Sequence, residues 1–575
     1  MQGKRYEKRE TSSILRGVVA AIVFAGSSVF AADVLFKGPG NDLADTSNWS
    51  QSSWTSDDTL IIASNNFEVS ETGLTLSRDL PPSKKLQIGT MPDRTVPIDF
   101  GGHALNTELV FTKMHGDSGR FNPILASGGW TAVSNISCAA VNNMNLHLTN
   151  GVFYTGRGLH FKNGWNNYFH VLKGATFAIT NVSAMLYPWE STQQPIIDID
   201  GGTMRISGPR NDTQWRLLVY DAGSAGGNCV FKIRNGGSYI DDTVAHEDMF
   251  TGSKLSILMD GGNYIATNTV NSSRNLIFTG SIFAATNSII RIAQFYTGQY
   301  SKGDFKFNNS YDNKGLNARY TFHNSEETFG FPARGYGLGA GFVFSPKTTN
   351  SVLRLSGGSN AWRSDCLMLN GLANRVEIEG GTFNVTNILR VADGSNCRVD
   401  FASGTSTIAK MAVTSTATNF AMRVADGASV SIAGEFSTDG TNACVTFSGQ
   451  SPSLSAGKFS LGGTATLRFA LSSTGYAAAP LTSDDSSMGC SVGDGTVFEF
   501  DMSGFDWPKR KKRIPLLHDA AGFSAGIDIA KLNEINAERM PSNKLGRKCS
   551  LELADNGKTL ALAVPGLNGI VIDFK

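Results

Sequence analysis

Two acidic stretches carry the residue types that could do chemistry. Asp241-Asp242 is followed by His246-Glu247-Asp248, and Asp198 and Asp200 stand earlier in the chain. Two carboxyl groups about 5–10 Å apart across an open groove would suit acid–base cleavage of a glycosidic bond. Several oxygens within about 2.3–2.6 Å of one point would instead hold a hard cation such as Ca²⁺. The simpler account of Asp241, Asp242, His246 and Asp248 is a solvated polar loop, because clustered charges usually are. On that account the aspartates splay toward water, and the chain has no catalytic residue, cofactor or metal.

Other short motifs fail on context. Gly116-Asp117-Ser118-Gly119 spells a serine-protease signature, but a nucleophile also needs a base and an orienting acid supplied by the right fold. The glycines of Arg334-Gly-Tyr-Gly-Leu-Gly-Ala-Gly-Phe342 are followed by no strand-to-helix turn, so they read as a loop, not a phosphate cradle. Lys509 to Arg513, KRKKR, reads as a solvated loop, with contact to an anionic glycan or lipid as the alternative. The aromatics between Phe295 and Phe344 suit stacking inside the fold, with a sugar-binding surface as the alternative.

What must position any such residues is set by composition and pattern. The chain has 575 residues, 50 Lys and Arg against 49 Asp and Glu, 41% apolar residues and 63 glycines. Balanced charge lacks the electrostatic footprint of a nucleic-acid binder. The apolar share is too high for a disordered chain. At the N-terminus Lys4, Arg5, Lys8, Arg9 and Arg16 precede the uncharged run Gly17–Phe30, which ends in Val29-Phe30-Ala31. That layout is a secretory signal cleaved after Ala31, and the run is too short to span a bilayer, which takes about 20 residues. Residues 1–31 are therefore expected to be removed, leaving an exported, secreted or cell-surface chain that starts at Ala32 and has no transmembrane segment. Seven scattered cysteines form no framework and read as small buried residues.

The remaining sequence repeats. A short alternating apolar run, one or two glycines and a second run recur, as in IDIDGGTMRI at Gly201-Gly202, FKIRNGGSYI at Gly236-Gly237 and VEIEGGTFNV at Gly380-Gly381. Gly358, Gly381, Gly404 and Gly427 follow one another at the same interval, and the pairs Leu353/Leu355, Val376/Ile378, Val399/Phe401 and Met422/Val424 precede them at one offset. A period of about 23 residues with alternating strands describes a solenoid whose coils bury their apolar faces by stacking. Its expected organisation is a cap with first coils over 32–140, the solenoid over 141–504, and a β-rich C-terminal module with a short helix near Ile529–Arg539 over 505–575. Trp49 and Trp54 are expected to pack in the N-terminal cap.

This pattern resembles the right-handed parallel β-helix of pectin-lyase-like proteins and of autotransporter passenger regions, over roughly residues 100–500. GNDLADTSNWS, with Asp57-Asp58-Thr59 after it, and the tail LELADNGKTLALAVPGLNGIVIDF look like the flanks of secreted bacterial surface proteins with such repeats. The resemblance raises the possibility of a polysaccharide lyase or hydrolase. Polygalacturonase-like enzymes carry Asn-Thr-Asp, Asp-Asp, Gly-His-Gly and Arg-Ile-Lys. Here His103 sits in Gly-His-Ala, Lys232-Ile233-Arg234 reverses the order, and Asn211-Asp212-Thr213 is scrambled. The function expected is thus a non-catalytic structural or adhesive module that binds glycans or other surface components; the alternative is a lyase or glycoside hydrolase of the same fold.

Overall fold

The computed structural model describes residues 31–567 outside 63–72, 91–94, 114–123, 133–135, 140–144, 157–158, 163–167, 180–183, 187–195, 208–216, 221–229, 243–247, 252–254, 267–275, 279–280, 293, 298–318, 330–340, 347, 463, 488 and 524–526. The chain winds into a parallel β-solenoid with three strands per coil. In one coil these are Ala184–Leu186, Ile196–Asp200 and Thr203–Ile206. They pair in parallel with Leu217–Tyr220, Val230–Arg234 and Ser238–Asp241 of the next. Repetition of this step gives three faces, called here the first, second and third sheets in the order the chain meets them.

Alternation decides what points inward. In the second sheet Leu353, Val376, Val399, Met422 and Val445 stand in register on successive coils, as do Leu355, Ile378, Phe401, Val424 and Phe447. All are buried. One coil could not shield these side chains; its neighbours above and below do, which is why the core is continuous along the rod. Of the aromatics between Phe295 and Phe344, Phe295, Tyr320, Phe322, Phe342 and Phe344 belong to the same core; Tyr300, Phe305, Phe307, Tyr311, Phe331 and Tyr336 lie outside the described residues. Phe295 stacks on Phe342 at 4.7 Å, and Tyr320 packs edge-on against both. Glu327 departs from the apolar rule in the third sheet: it is completely buried between the register positions of Ile290 and Trp362. Burial disfavours its charged form and pushes its carboxyl well above the usual range.

The tight corner between the second and third sheets explains the double glycine. Gly236 has φ +79°, and a Cβ on Gly237 would lie 2.4 Å from the Ile199 carbonyl oxygen of the coil before. The first position needs the left-handed conformation and the second needs the absence of a side chain. Later in the chain the other corners tighten too. Arg375–Val391 is one strand that passes through all three sheets, pairing Val376 with Leu353, Phe383 with Trp362 and Leu389 with Leu367. Earlier coils place longer segments at those corners.

At both ends groups outside the coils take the place of a missing strand. At the N-terminus Ser50 Oγ accepts from Leu35 N at 2.9 Å and Ser50 N donates to Leu35 O. Trp49 packs edge-on against Phe36 at 5.1 Å and against Trp54 at 5.6 Å. At the other end the helix Ile529–Asn536 starts on Asp528, whose side chain accepts from Lys531 N. It lays Asn536 over the last strand of the second sheet: Oδ1 accepts from Phe498 N at 2.8 Å and Nδ2 donates to Thr496 O at 3.0 Å. Asn533 does the same at Leu551, on the outer strand of the antiparallel pair Ser550–Ala554 and Thr559–Val564. Exposed strand edges recruit other strands, and these amides occupy them.

At the corner between the first and second sheets Asn350, Ala373, Asn396, Asn419 and Asn442 all take the left-handed conformation, with φ between 51° and 57°. Asn419 Nδ2 donates to Asn396 Oδ1 and Asn442 Nδ2 to Asn419 Oδ1, each at 3.1 Å. Asn tolerates this conformation and Ala does not. Ala373→Asn is therefore expected to relieve strain and supply the missing rung, raising stability by about 1 kcal/mol. A urea melt checks it; a lowered midpoint contradicts the account.

Candidate functional site

The acidic residues singled out in the sequence do not form one site. Asp198 and Asp200 lie on the strand Ile196–Asp200 of the second sheet, whereas Asp241 ends the strand Ser238–Asp241 of the third. Asp241 is buried, following Tyr239 on the inward side of its strand. Asp242 is ion-paired with Arg205 of the preceding coil. His246 lies outside the described residues, and Asp248 begins a strand of the first sheet. The expectation that these aspartates splay toward water fails for two of them: Asp198 is 3% and Asp241 4% exposed. Among the described residues no group of three or more His, Cys, Asp or Glu side chains is placed to hold a metal ion. Gly116–Gly119 lies outside the described residues.

Stacking builds a different cluster, on the outer face of the second sheet. His147, His170, Asp198 and Lys232 occupy one register position on four successive coils. Each follows from the same alternation: Leu146 and Leu148 turn inward and His147 outward, and Phe169 and Val171 do so around His170. The two imidazoles lie 4.3 Å apart, and Tyr168 lies alongside His170 at 6.1 Å. His147 Nε2 is 2.7 Å from Asn145 Oδ1, and His170 Nδ1 is 3.7 Å from Asp198 Oδ2. Arg234 spans both acids: Nε donates to Asp198 Oδ1 at 3.0 Å, and Nη2 reaches Asp200 Oδ2 at 2.9 Å. Those bonds, the one to Asp198 foremost, raise the Arg234 pKa. The two carboxylates thus share one guanidinium; they do not flank an empty space the width of a sugar ring.

Desolvation sets the charge of the imidazoles. It lowers the His147 pKa to about 4, with the proximity of His170 adding to the effect, and it lowers that of His170 as well. Both are neutral at pH 7. Farther along the same face the outward ranks are ion pairs between coils: Arg354 with Glu377 at 2.6 Å, and Arg468 with Glu499 at 2.6 Å. Such exposed pairs contribute about 0–1 kcal/mol each and chiefly set the polarity of the face.

The outer face of the third sheet over the same later coils is different. Thr382, Thr405, Ser429 and Ser453 stand in one rank, and Asn384, Thr407, Ser431, Ser455 and Thr482 in the next. The two ranks contain no charged side chain; Arg363 and His518 bound the second rank at its ends. Thr405, Thr407, Ser429 and Ser431 are exposed, and their backbone is fixed by the parallel ladder. Their hydroxyls therefore form a flat array with neighbours about 4.8 Å apart along the rod.

Gly335, Gly337 and Gly339 of the glycine-rich stretch lie outside the described residues, and Gly341–Phe344 is a strand of the first sheet. KRKKR is not wholly a loop: Lys512 and Arg513 open the strand Lys512–Asp519, and Lys511 and Arg513 both pair with Glu552. Five described cysteines are free thiols, and burial pushes Cys397 and Cys490 up to about 11 and Cys549 to about 12, leaving them unreactive at neutral pH. Comparison of the chain with protein-family models, with curated proteins and with solved structures gives no match.

The histidine row makes the rod acid-sensitive. An unfolded chain binds a proton on imidazole near pH 6.5, but His147 does so only at about 4 in the folded coil. Between those values the unfolded state holds more protons, so stability falls as pH drops from about 6.5 toward 4. His147→Gln is expected to flatten that slope while leaving stability at pH 7 nearly unchanged. Urea unfolding at several pH values checks it; an identical slope in the variant contradicts it.

Proposed function

We propose that this chain is an exported bacterial protein, secreted or held at the cell surface, whose solenoid is a non-catalytic structural and adhesive module that binds glycans. Three considerations support the reading. The leader over residues 1–31 directs export. The repeat is similar to that of pectin-lyase-like and autotransporter passenger solenoids. The flat, uncharged double rank of hydroxyls on the third sheet offers hydrogen-bonding groups with no charge to repel a neutral polymer. The last observation carries the reading. A polysaccharide strand lying along the rod would meet a donor or acceptor on every coil, and many weak contacts on one rigid surface add to a useful avidity. No helix among the described residues is long and apolar enough to cross a membrane.

The runner-up is a lyase or hydrolase, and the row of His147, His170, Asp198 and Arg234 is what favours it. Incubating the chain from Ala32 onward with insoluble neutral and acidic polysaccharides separates the two. The adhesive reading expects retention on a neutral polymer without release of new sugar ends. It also expects retention to weaken about thirtyfold when Thr405→Val and Thr407→Val are combined, since each removes a hydroxyl worth about 1 kcal/mol and keeps the shape. Turnover that disappears in His170→Gln or Asp198→Asn would move the protein into the enzyme class.

A further inference from the structure

Asp58 is a carboxylate held by hydrogen bonds at the N-terminal end of the rod. It is 3% exposed. Its Oδ2 accepts from Thr55 N at 2.6 Å and from Thr55 Oγ1 at 2.9 Å, and its Oδ1 accepts from Ala32 N at 2.7 Å. Among the described residues no Lys, Arg or His side chain is paired with it. The hydrogen bonds from Ala32 N and Thr55 N hold its pKa below the usual carboxylate range, so it is ionised at neutral pH, and a full positive charge on one of those donors would strengthen the bond.

The atom beside Asp58 is the one that signal cleavage would charge. Ala31 is exposed and Ala32 half-buried, so the bond between them lies at the surface while the nitrogen of Ala32 already faces the acid. We propose that hydrolysis of the Ala31–Ala32 peptide bond converts the Ala32 amide nitrogen into an α-ammonium that pairs with Asp58 and locks the N-terminal cap. Water adds across the peptide bond: the carboxylate leaves with the leader on Ala31, and the amine, protonated at neutral pH, stays on Ala32. The hydrogen bond already in place is kept and gains a full charge. The neighbouring bonds hold the geometry from both sides. Thr59 N donates to Ala32 O, and Lys84 N to Asp58 O. The first strand, Asp33–Leu35, pairs with Thr59–Ile62 one residue later. Ala32 and Asp58 thus join the first two coils at the N-terminal end of the rod.

The pairing rests on the export reading for its trigger, and the two fail separately. N-terminal sequencing of exported protein tests the trigger: a start at Ala32 is expected, and any other start overturns the proposal that cleavage makes the pair. The pair itself is tested on purified chains released in vitro, one beginning at Ala32 and one at Ala31, which puts the ammonium one residue away. The Ala32 chain is expected to show a folded-to-unfolded ratio about tenfold higher, the size of a charge-assisted hydrogen bond. That advantage should vanish in Asp58→Asn and on Nα-acetylation. It should also fade at alkaline pH, because an amine with a raised folded pKa stabilises below its unfolded value, near pH 8, and is lost above the folded one. Equal stability of the two chains, or an advantage that survives Asp58→Asn, overturns the pairing.

Discussion

The constraint on which everything else depends is that a β-coil of this kind cannot bury its own apolar face. Val399 and Phe401 are shielded by Val376 and Ile378 on one side and Met422 and Val424 on the other, and each of those needs the same service from the next coil. Stacking is therefore both the source of the core and the reason for the rod. The same requirement dictates the corners. Gly237 has no room for a side chain because the carbonyl of Ile199 sits where its Cβ would be, and successive coils can approach to hydrogen-bonding distance only if that space stays open.

Stacking also fixes what the outside can do. Once every second residue is committed inward, the rest must stand in ranks that run the length of the rod, so the chemistry of a face is decided rank by rank. The second sheet spends its outward ranks on imidazoles, carboxylates and guanidiniums that satisfy one another between coils. The third sheet, over the later coils, presents hydroxyls in place of charge. A surface built in this way suits recognition of an extended, repetitive partner better than enclosure of a small one.

Much of the fold was legible in the sequence, and the reason is local. From Leu353 to Phe447 the corners on either side of the third sheet shrink to bulges and the remaining corner keeps one length, so strands in register are also evenly spaced in sequence. Where the corners carry longer segments, as between Ala285 and its register partner Phe322, the spacing drifts and the repeat fades. The cluster on the second sheet was missed for a related reason. Sequence reading looked for charges that are neighbours along the chain, such as Asp241 and Asp242, but stacking makes neighbours of His147 and His170. The signal was present: each histidine lies between two inward apolar residues at the same offset. The partnership of Asp198 with Arg234 carried no comparable signal, since it depends on which coil follows which. Nor did the asparagines of the C-terminal helix announce a role, because an amide side chain can act as a strand only once the helix lies across an open edge.

A stacked ladder of hydrogen bonds has two ends, and at the C-terminal one the amide of Asn536 takes the place of the missing strand. Amide hydrogen exchange at Phe498, compared between the parent chain and Asn536→Ala, tests it most directly. Phe498 N donates to Asn536 Oδ1 and to no further strand, so the account predicts that this amide is protected in the parent and exchanges much faster in the variant, while amides between Arg375 and Gly449 keep their protection. Equal protection of Phe498 in the two proteins would contradict it.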